Sequence, residues 1–213
     1  MREYQKIETL YKFDGTKKKF IEELRSPIVE YLANCPWLVS EKVDGTNIRV
    51  YWDGHRVSWS GRTDSSSLPK EVEELLKEQF GESEPLFEQL FGEKEVYLFM
   101  ECYGGKVQKP NYGGKERLIG FDIMVENIYL DKTTIGAIFN QFGIRTVDFW
   151  YMNNLDDIVR FVKEYNLPSP LCEGDSTTLM EGLVCVPAVR LYDHMGHRII
   201  IKVKKKDLAD VVH

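Results

Sequence analysis

The pattern of hydrophobic and polar positions predicts a chain in which strands and helices alternate irregularly. An apolar run at 37–39 leads into a short polar stretch, and a second run with strand-like alternation, 47–52, leaves it. Asp53-Gly54 is a strong hairpin signal, with 55–60 as the returning strand. Further apolar runs predict strands at 4–9, 95–103, 117–125, 180–186 and 198–203. This mixture is typical of an α+β fold with mostly antiparallel sheets.

Apolar residues three or four positions apart predict the helices. Val72, Leu75, Leu76 and Phe80 share one face of a helix that Leu68-Pro69 opens. Similar spacing predicts helices at about 17–32, interrupted by Ser26-Pro27, and at 70–80, 85–91, 133–142, 154–165 and 205–212.

Length and composition indicate a globular protein of one large domain or two small ones, with room for a sizeable core. The chain has 213 residues, 43% of them hydrophobic and 29% charged. We expect one domain over residues 1–213. The four cysteines are far apart and form no Cys-x-x-Cys pair, so we expect reduced thiols and a cytoplasmic location. No apolar run is as long as a membrane span, and we expect no membrane partner.

The charge distribution limits how the chain could bind nucleic acid. A net charge of −6 argues against non-specific coating of nucleic acid but leaves room for a local basic groove. Lysines cluster at 17–19 and again at 202–206. We interpret the first cluster as a solvated surface and the second as a candidate binding site.

Lys42 is the candidate nucleophile, since an amine presented at a strand end can attack an activated phosphate. It lies in Glu41-Lys42-Val43-Asp44-Gly45. Alone, Lys-x-Asp-Gly is a weak signal, since chance would produce it in about one chain of this length in twenty. The competing interpretation is a turn at Asp44-Gly45 with Lys42 in solvent.

Further residues along the chain could act with this lysine. An arginine follows a glycine at a strand end, two carboxylates lie at the ends of apolar strands, and two lysines share one face of the last strand by their period of two. An aromatic side chain that could stack on a base lies in another core strand. A surface-turn arginine and a plain core phenylalanine are the competing interpretations. These residues are Arg62, Glu101, Phe121, Glu181, Lys202 and Lys204.

In this order the set resembles the motif series of the covalent nucleotidyltransferases, which include ATP-dependent polynucleotide ligases and mRNA capping enzymes. The resemblance is greatest to the RNA ligase 2 family, which includes the kinetoplastid RNA-editing ligases. It covers about residues 41–207. The segments that carry it are Glu41 to Asn47, Arg62, Glu101-Cys102-Tyr103-Gly104, Phe121-Asp122-Ile123, Glu181 to Val184 and Lys202-Val203-Lys204.

The resemblance implies an ATP-dependent RNA ligase. Lys42 would attack the α-phosphorus of ATP, expel pyrophosphate and carry AMP as a covalent lysyl-AMP. The AMP would then pass to a 5′-phosphate end, and a 3′-hydroxyl would displace it. A lysine with the ordinary pKa of about 10.4 is almost fully protonated at neutral pH. Nearby cations, Lys202 and Lys204, would favour the neutral amine and later neutralise the phosphate oxygens.

The resemblance also assigns the binding residues. Glu181 and Asp44 would hold Mg²⁺ or Mn²⁺. Glu41 belongs to the nucleotide-binding motif, Glu101 would accept hydrogen bonds from the ribose, and Phe121 would stack on adenine. Arg62 and Asn47 would contact phosphate, either that of the donor strand or that of AMP.

The implied fold is an α+β nucleotidyltransferase domain whose sheets pack around the AMP pocket. Because the chain stops nine residues past Lys204, we expect no appended C-terminal domain. We therefore expect RNA ends in a nicked duplex or a pre-adenylated donor as substrate, with a helper protein or homo-oligomer as possible aids and a phage as a possible source. A DNA ligase, a capping-type guanylyltransferase and a nucleotide-binding regulator without turnover are the alternatives.

Overall fold

A computed structural model describes residues 1–107, 112–209 and 211–212. It confirms the α+β class. Residues 108–111, in the glycine-rich stretch 103–114, Asp210, in the predicted helix 205–212, and His213 lie outside the described residues. The chain divides into two compact units, described separately below. The first unit is Met1–Tyr4, Asp44–Val147 and Leu171–Thr177, and the second is Gln5–Val43, Asp148–Pro170 and Thr178–His213.

The described residues form fourteen strands and six helices. The strands are β1 (Glu8–Thr9), β2 (Tyr11–Asp14), β3 (Lys19–Leu24), β4 (Trp37–Glu41), β5 (Thr46–Trp52), β6 (Val57–Ser60), β7 (Val96–Tyr103), β8 (Arg117–Val125), β9 (Ile128–Tyr129), β10 (Arg145–Thr146), β11 (Phe149–Met152), β12 (Gly182–Pro187), β13 (Ile201–Lys204) and β14 (Val211–Val212). The helices are α1 (Pro27–Tyr31), α2 (Lys70–Phe80), α3 (Glu84–Phe91), α4 (Lys132–Gln141), α5 (Leu155–Glu164) and α6 (Lys205–Ala209).

The first unit is built on one sheet with the strand order β10-β8-β7-β5-β6, to which β9 adds beside β8. Its long strands β5, β7 and β8 are antiparallel neighbours, so their alternate side chains line two faces. One face packs against the predicted face of α2, where Val72, Leu76 and Phe80 are buried. This packing leaves the opposite face to carry polar groups.

The second unit contains a five-stranded sheet with the order β1-β13-β12-β4-β11 and a three-stranded sheet with the order β14-β3-β2. Strands β4, β12 and β13 lie side by side and antiparallel. Their apolar residues join α5 in the core of this unit, where Trp37, Val39 and Ile158 are fully buried. The antiparallel order places the end of β4, the start of β12 and the end of β13 at one edge.

The predicted helix over 17–32 is wrong in its first half. Residues 19–24 form strand β3, which pairs with β2 on one side and β14 on the other, and only 27–31 are helical. The apolar residues of this segment fit either the repeat of a helix or the alternation of a strand. Pairing with β2 and β14 decides for the strand, since tertiary contacts override weak local preference.

Other element boundaries also differ from prediction. Helix α6 ends at Ala209, and Val211–Val212 form a strand against β3, so the predicted helix over 205–212 is too long. Only Glu8–Thr9 of the predicted strand 4–9 are in a sheet, and the last long strand covers 201–204 rather than 198–203.

The four cysteines are Cys35, Cys102, Cys172 and Cys185, and none forms a disulfide. Cys102 and Cys185 are buried, whereas Cys35 and Cys172 are partly exposed. Burial raises the pKa of the Cys102 thiol to about 12, with smaller contributions from the charges of Glu116 and Glu101. Burial alone raises the pKa of Cys185. Within the described segments, no helix combines the length and apolar character needed to cross a bilayer.

Candidate active site

Lys42 lies where β4 ends, beside the start of β12. Its backbone N–H donates to the carbonyl of Gly182 over 2.9 Å, which extends the ladder that pairs Glu41 with Leu183. Glu181 immediately precedes β12, and its carbonyl accepts from the Lys205 N–H over 3.0 Å. Backbone pairing therefore brings Lys42 and Glu181 together although 139 residues separate them.

The Glu181 carboxylate bridges two lysines. Its Oε2 accepts a hydrogen bond from Lys42 Nζ, and its Oε1 lies 3.6 Å from Lys204 Nζ. The side chains of all three are about one-quarter exposed. Because these side chains are largely shielded from solvent, the ion pair is stronger than on an open surface. The arrangement therefore holds Lys42 in place.

Lys202 and Lys204 share one face of β13, as predicted, while the intervening Val203 enters the core. Lys202 lies opposite Val184 of β12, and Lys204 lies opposite Gly182. Burial lowers the pKa of Lys202, and the positive charges of Lys204 and Lys42 lower it further. Asp207 and Glu181 act in the opposite direction. Lys202 is therefore electrostatically coupled to the other cations of this edge.

Asp207 is a member of this cluster that the sequence reasoning missed. Its Oδ1 lies 3.4 Å from Lys204 Nζ, and the residue is 9% exposed. The only available signal was its position three residues after Lys204, at the start of a short helix. We call Lys42, Glu181, Lys202, Lys204 and Asp207 the lysine edge.

Gly182 allows the lysine edge to close. A Cβ at this position would meet the Val203 carbonyl oxygen at 2.1 Å and the Lys204 Cα at 2.7 Å. Any side chain there would push β12 away from β13. The glycine of the Glu181-Gly182 pair is thus required by close backbone approach.

Glu41, the other acidic residue of the nucleophile motif, is 6% exposed and faces Leu183 across the β4–β12 ladder. It belongs to the second unit with Lys42 and Glu181. A buried carboxylate is unusual in a protein interior, and here it follows another buried polar residue, Ser40. Its predicted role in nucleotide binding stays a prediction.

In the first unit, two of the other predicted residues lie at one end of the β5–β7 pair. Asn47 is directly opposite Glu101 in the ladder. The Asn47 side-chain oxygen is buried and has no hydrogen-bond partner among the described residues. A buried amide oxygen of this kind is costly unless something donates to it, so Asn47 stays a candidate for ligand binding.

Gly45 packs closely against β7. A Cβ on Gly45 would meet the Cys102 carbonyl oxygen at 2.3 Å and the Glu101 Cγ at 2.8 Å. Gly45 does not have a positive φ angle. The glycine of Lys-x-Asp-Gly therefore serves close packing rather than a left-handed turn.

Asp44, at the start of the first unit, is held by Tyr112. Its backbone N–H donates to the Tyr112 hydroxyl over 3.0 Å, and Tyr112 is fully buried. The Tyr112 carbonyl accepts from the Glu173 N–H over 2.8 Å. Sequence reasoning missed Tyr112, which sits in the glycine-rich segment without any local signal.

Phe121 lies at an irregularity in the sheet. Phe99 pairs with Asp122 and Met100 pairs with Gly120, so Phe121 is the extra residue of a bulge. A bulge redirects a side chain locally, and such features are common beside functional sites. Phe121 is half-buried, and its ring meets Tyr4 edge-on at 5.1 Å between centroids.

Arg62 is exposed on the turn after β6 and makes no hydrogen bond or ion pair with the described part of the chain. The structure thus groups Lys42, Glu181, Lys202 and Lys204 in the second unit. It groups Asn47 with Glu101 in the first, where Phe121 and Arg62 also lie. The chemical roles assigned to these residues remain predictions.

The donor set at the lysine edge fits a divalent cation held partly by a substrate. Among the residues that the structure describes, no group of three or more His, Cys, Asp or Glu side chains could hold a metal ion. Mg²⁺ is usually bound by one or two carboxylates together with phosphates and water. Glu181, with both oxygens already directed at cations, meets that requirement.

The fold is that of a nucleotidyltransferase domain. A family model described as RNA ligase matches residues 35–204, which include every predicted site residue, and the chain therefore belongs to the RNA ligase family.

Solved structures similar to this chain support the fold assignment. A Naegleria gruberi RNA ligase variant with ATP and Mn is 16% identical, with a TM-score of 0.63 over 93% of this chain and 59% of the other. The same ligase with PPi is 17% identical, with a TM-score of 0.62 over 93% and 59%. A variant with AMP and Mn is 16% identical, with a TM-score of 0.63 over 96% and 61%.

This chain thus spans about three-fifths of the length of the solved ligases that it matches. At this level of identity the similarity shows the fold. A search of curated proteins found no matching sequence.

Proposed function

We propose that this chain is an ATP-dependent RNA ligase that works through a covalent lysyl-AMP on Lys42. The observation that carries the proposal is the lysine edge, in which a strand-end lysine meets a carboxylate and two further lysines within a chain of the RNA ligase family. A lone amine in solvent would not support it.

In the first step, the neutral Lys42 amine attacks the α-phosphorus of ATP. A P–N bond forms, the bond to the pyrophosphate oxygen breaks, and pyrophosphate leaves. Lys42 must first release a proton, and the Glu181 oxygen that accepts its hydrogen bond is the nearest acceptor in the lysine edge. Lys202 and Lys204 then place positive charge beside the phosphate oxygens.

A divalent cation at Glu181 would add positive charge at the same phosphates. In the resting arrangement the Lys42 ammonium occupies this carboxylate. If the Glu181 oxygen takes the Lys42 proton, that proton must pass on to solvent before the same oxygen can hold the cation. Asp207 keeps its contact with Lys204 throughout. A metal role for Asp44 stays part of the proposal.

Residues of the first unit would bind the nucleotide from the first step onward. Glu101 would accept from the ribose hydroxyls, and Phe121 would stack on adenine. The unsatisfied Asn47 oxygen and the exposed Arg62 would receive donors and phosphate groups, respectively. AMP passes from Lys42 to a 5′-phosphate, forming a P–O bond as the P–N bond breaks. A 3′-hydroxyl then attacks that phosphate and AMP leaves.

The proposal extends to substrate and setting. We propose RNA ends in a nicked duplex or a pre-adenylated donor as the preferred substrates, since the net charge of −6 gives weak attraction to a bare strand. A helper protein or a second copy of the chain could supply further contacts with RNA. The four reduced cysteines are compatible with a cytoplasmic setting.

The test is incubation with α-labelled ATP and Mg²⁺, followed by denaturing electrophoresis. We expect label to stay on the protein, and none with γ-labelled ATP, because the γ-phosphate leaves with pyrophosphate. Lys42→Ala should reduce labelling at least about 1000-fold, since it removes the nucleophile. Lys206→Ala is the matched control, because Lys206 is exposed in the same lysine cluster but outside the lysine edge.

Absence of label with any nucleotide would rule out the proposal. Labelling by GTP instead of ATP would identify a capping-type guanylyltransferase. Sealing of a nick with a DNA 3′-hydroxyl in preference to an RNA 3′-hydroxyl would identify a DNA ligase. ATP binding without pyrophosphate release would identify a regulator without turnover.

A further inference from the structure

Arg49 is a fully buried cation in the first unit, with 0% of its side chain exposed. Its Nε donates to the Gly61 carbonyl over 2.7 Å, and its Nη2 donates to Asp64 over 2.8 Å and to the Ser60 hydroxyl over 3.3 Å. Its Nη1 donates to the Arg2 carbonyl over 2.9 Å. The guanidinium therefore binds the residues on both sides of Arg62.

The segment 60–66, which we call the Arg62 turn, is also bonded internally. The Ser60 hydroxyl donates to the Thr63 carbonyl over 2.9 Å. The Thr63 N–H donates to the Ser66 hydroxyl over 3.0 Å, and the Ser66 N–H donates back to the Thr63 carbonyl over 3.1 Å. A Cβ on Gly61 would lie only 2.9 Å from the Ser66 Cβ. The backbone that carries Arg62 is therefore tightly fixed.

Arg62 contrasts with its surroundings. Its side chain is exposed and makes no hydrogen bond or ion pair within the described ranges, while the residues around it are bonded. Arg49 and Asn47 are two positions apart in β5 and so lie on the same face of the sheet. The strand that carries the unsatisfied Asn47 oxygen thus also fixes the Arg62 turn.

Core stability gives no reason for a charge at position 49. Burying a guanidinium is expensive, and replacing a buried ion pair by apolar residues is often neutral or stabilising. Its forked donors instead fix several acceptors at once, which a lysine or an apolar side chain could not do. Such support is what a preorganised site requires of the residues behind it.

We propose that Arg49 is a positioning residue that fixes the Arg62 turn, so that Arg62 meets a phosphate group in a preset geometry. The inference rests on the proposed function for its substrate. That phosphate belongs either to ATP or to the 5′-phosphate of the RNA end. Separate measurement of the two chemical steps distinguishes these sources.

The experiment compares Arg49→Met, Arg62→Ala and the double variant in single-turnover assays of self-adenylylation and of sealing with a pre-adenylated RNA. We expect each single variant to slow the same step by about 10- to 100-fold, since a shift of about 1 Å can have that effect. The double variant should be no slower than the slower single variant, because both changes remove one function. Arg49→Lys should not restore the rate, since it keeps the charge but loses the fork.

Val72→Ala is the matched control for lost stability, because Val72 is fully buried in the same unit on α2. It should lower the melting temperature without slowing one of the two chemical steps more than the other. The proposal would be overturned if the rate reductions of Arg49→Met and Arg62→Ala multiplied in the double variant. It would also be overturned if the two changes slowed different steps.

Amide hydrogen exchange at 61–66 tests the positioning role without ligase activity. Arg49→Met should speed exchange there relative to Val72→Ala, and unchanged exchange would overturn the proposal even in an inactive protein. If Arg49→Met does not fold, Asp64→Ala removes one exposed partner of Arg49 and should give the same pattern more weakly. An absence of labelling in the wild type would instead count against the proposed function alone.

Discussion

The lysine edge and the Arg62 turn differ in how their cationic side chains are paired. At the lysine edge, Lys42 and Lys204 are paired with Glu181, and Lys204 also with Asp207. At the Arg62 turn, the Arg49 guanidinium donates to groups of the turn and fixes its backbone, whereas Arg62 itself is exposed. The lysine edge pairs two of its lysines with carboxylates, whereas the Arg62 side chain has no hydrogen bond or ion pair within the described segments.

This difference teaches what each region must do. A nucleophilic lysine has to change its protonation and its partner during the reaction, so a carboxylate that can exchange partners is useful. A phosphate-binding arginine keeps its charge at all working pH values and gains most from fixed geometry. The predictions below perturb the lysine edge, and the Arg49 variants above perturb the turn.

The largest expected effect comes from Glu181→Gln. The amide keeps the shape but loses the charge that pairs Lys42 with Lys204 and that could bind a divalent cation. We expect self-adenylylation to fall on the order of 100-fold. Sealing of a pre-adenylated RNA by the same variant shows whether Glu181 also serves the last step. Near-normal labelling would contradict the role of the lysine edge.

Gly182→Ala should displace the start of β12. Because the added Cβ would meet the Val203 carbonyl at 2.1 Å, we expect a stability loss of about 1–3 kcal/mol together with slower labelling. Thermal unfolding and labelling rates measure both. Gly136→Ala is the control. Its Cβ would have only Thr146 nearby, at 4.0 Å, and in helix α4 it should stabilise by up to about 1 kcal/mol.

Asp207→Asn should weaken the hold on Lys204 while Glu181 remains. We expect a decrease of about tenfold in the adenylylation rate, as for other partners that orient a functional group. The effect should be absent when Lys204 is already replaced by Met. An equal effect in both backgrounds would show that Asp207 does not act through Lys204.

The smallest expected effect is the change in thermal stability caused by Lys202→Met. Burial and the neighbouring lysines lower the pKa of Lys202 in the folded protein, so its charge opposes folding at neutral pH. We expect the variant to label slowly yet melt about 1–3 °C higher. The gain should shrink as pH rises from the folded pKa towards the ordinary lysine value of 10.5, since the wild-type charge is lost there. Unfolding curves across that pH range measure it.

Much of the fold could be predicted because hydrophobic periodicity is a local signal. Strands β4, β5, β7 and β8 and helix α2 lie within a residue or two of their predicted positions. The prediction for residues 19–24 failed because their strand character comes from pairing with β2, just before them, and with β14, at the far end of the chain. Local preference could not foresee the second partner.

The candidate site likewise contains residues that the sequence predicts and residues that it does not. Lys42, Glu181, Lys202 and Lys204 were predicted from an ordered resemblance, and the sheet brings them together. Asp207, Tyr112 and Arg49 were missed, since each acts through a contact made only after folding. None of the three has a motif or a charge pattern that distinguishes it from ordinary surface or core residues.

The cysteines offer positions for selective labelling. Their raised pKa values keep Cys102 and Cys185 as unreactive thiols, so an alkylating dye at neutral pH should modify Cys35 and Cys172 selectively. Cys35 belongs to the second unit and Cys172 to the first. The unmutated protein thus carries a fluorophore attachment point on each unit, so the surroundings of each can be followed during ATP binding without a new cysteine.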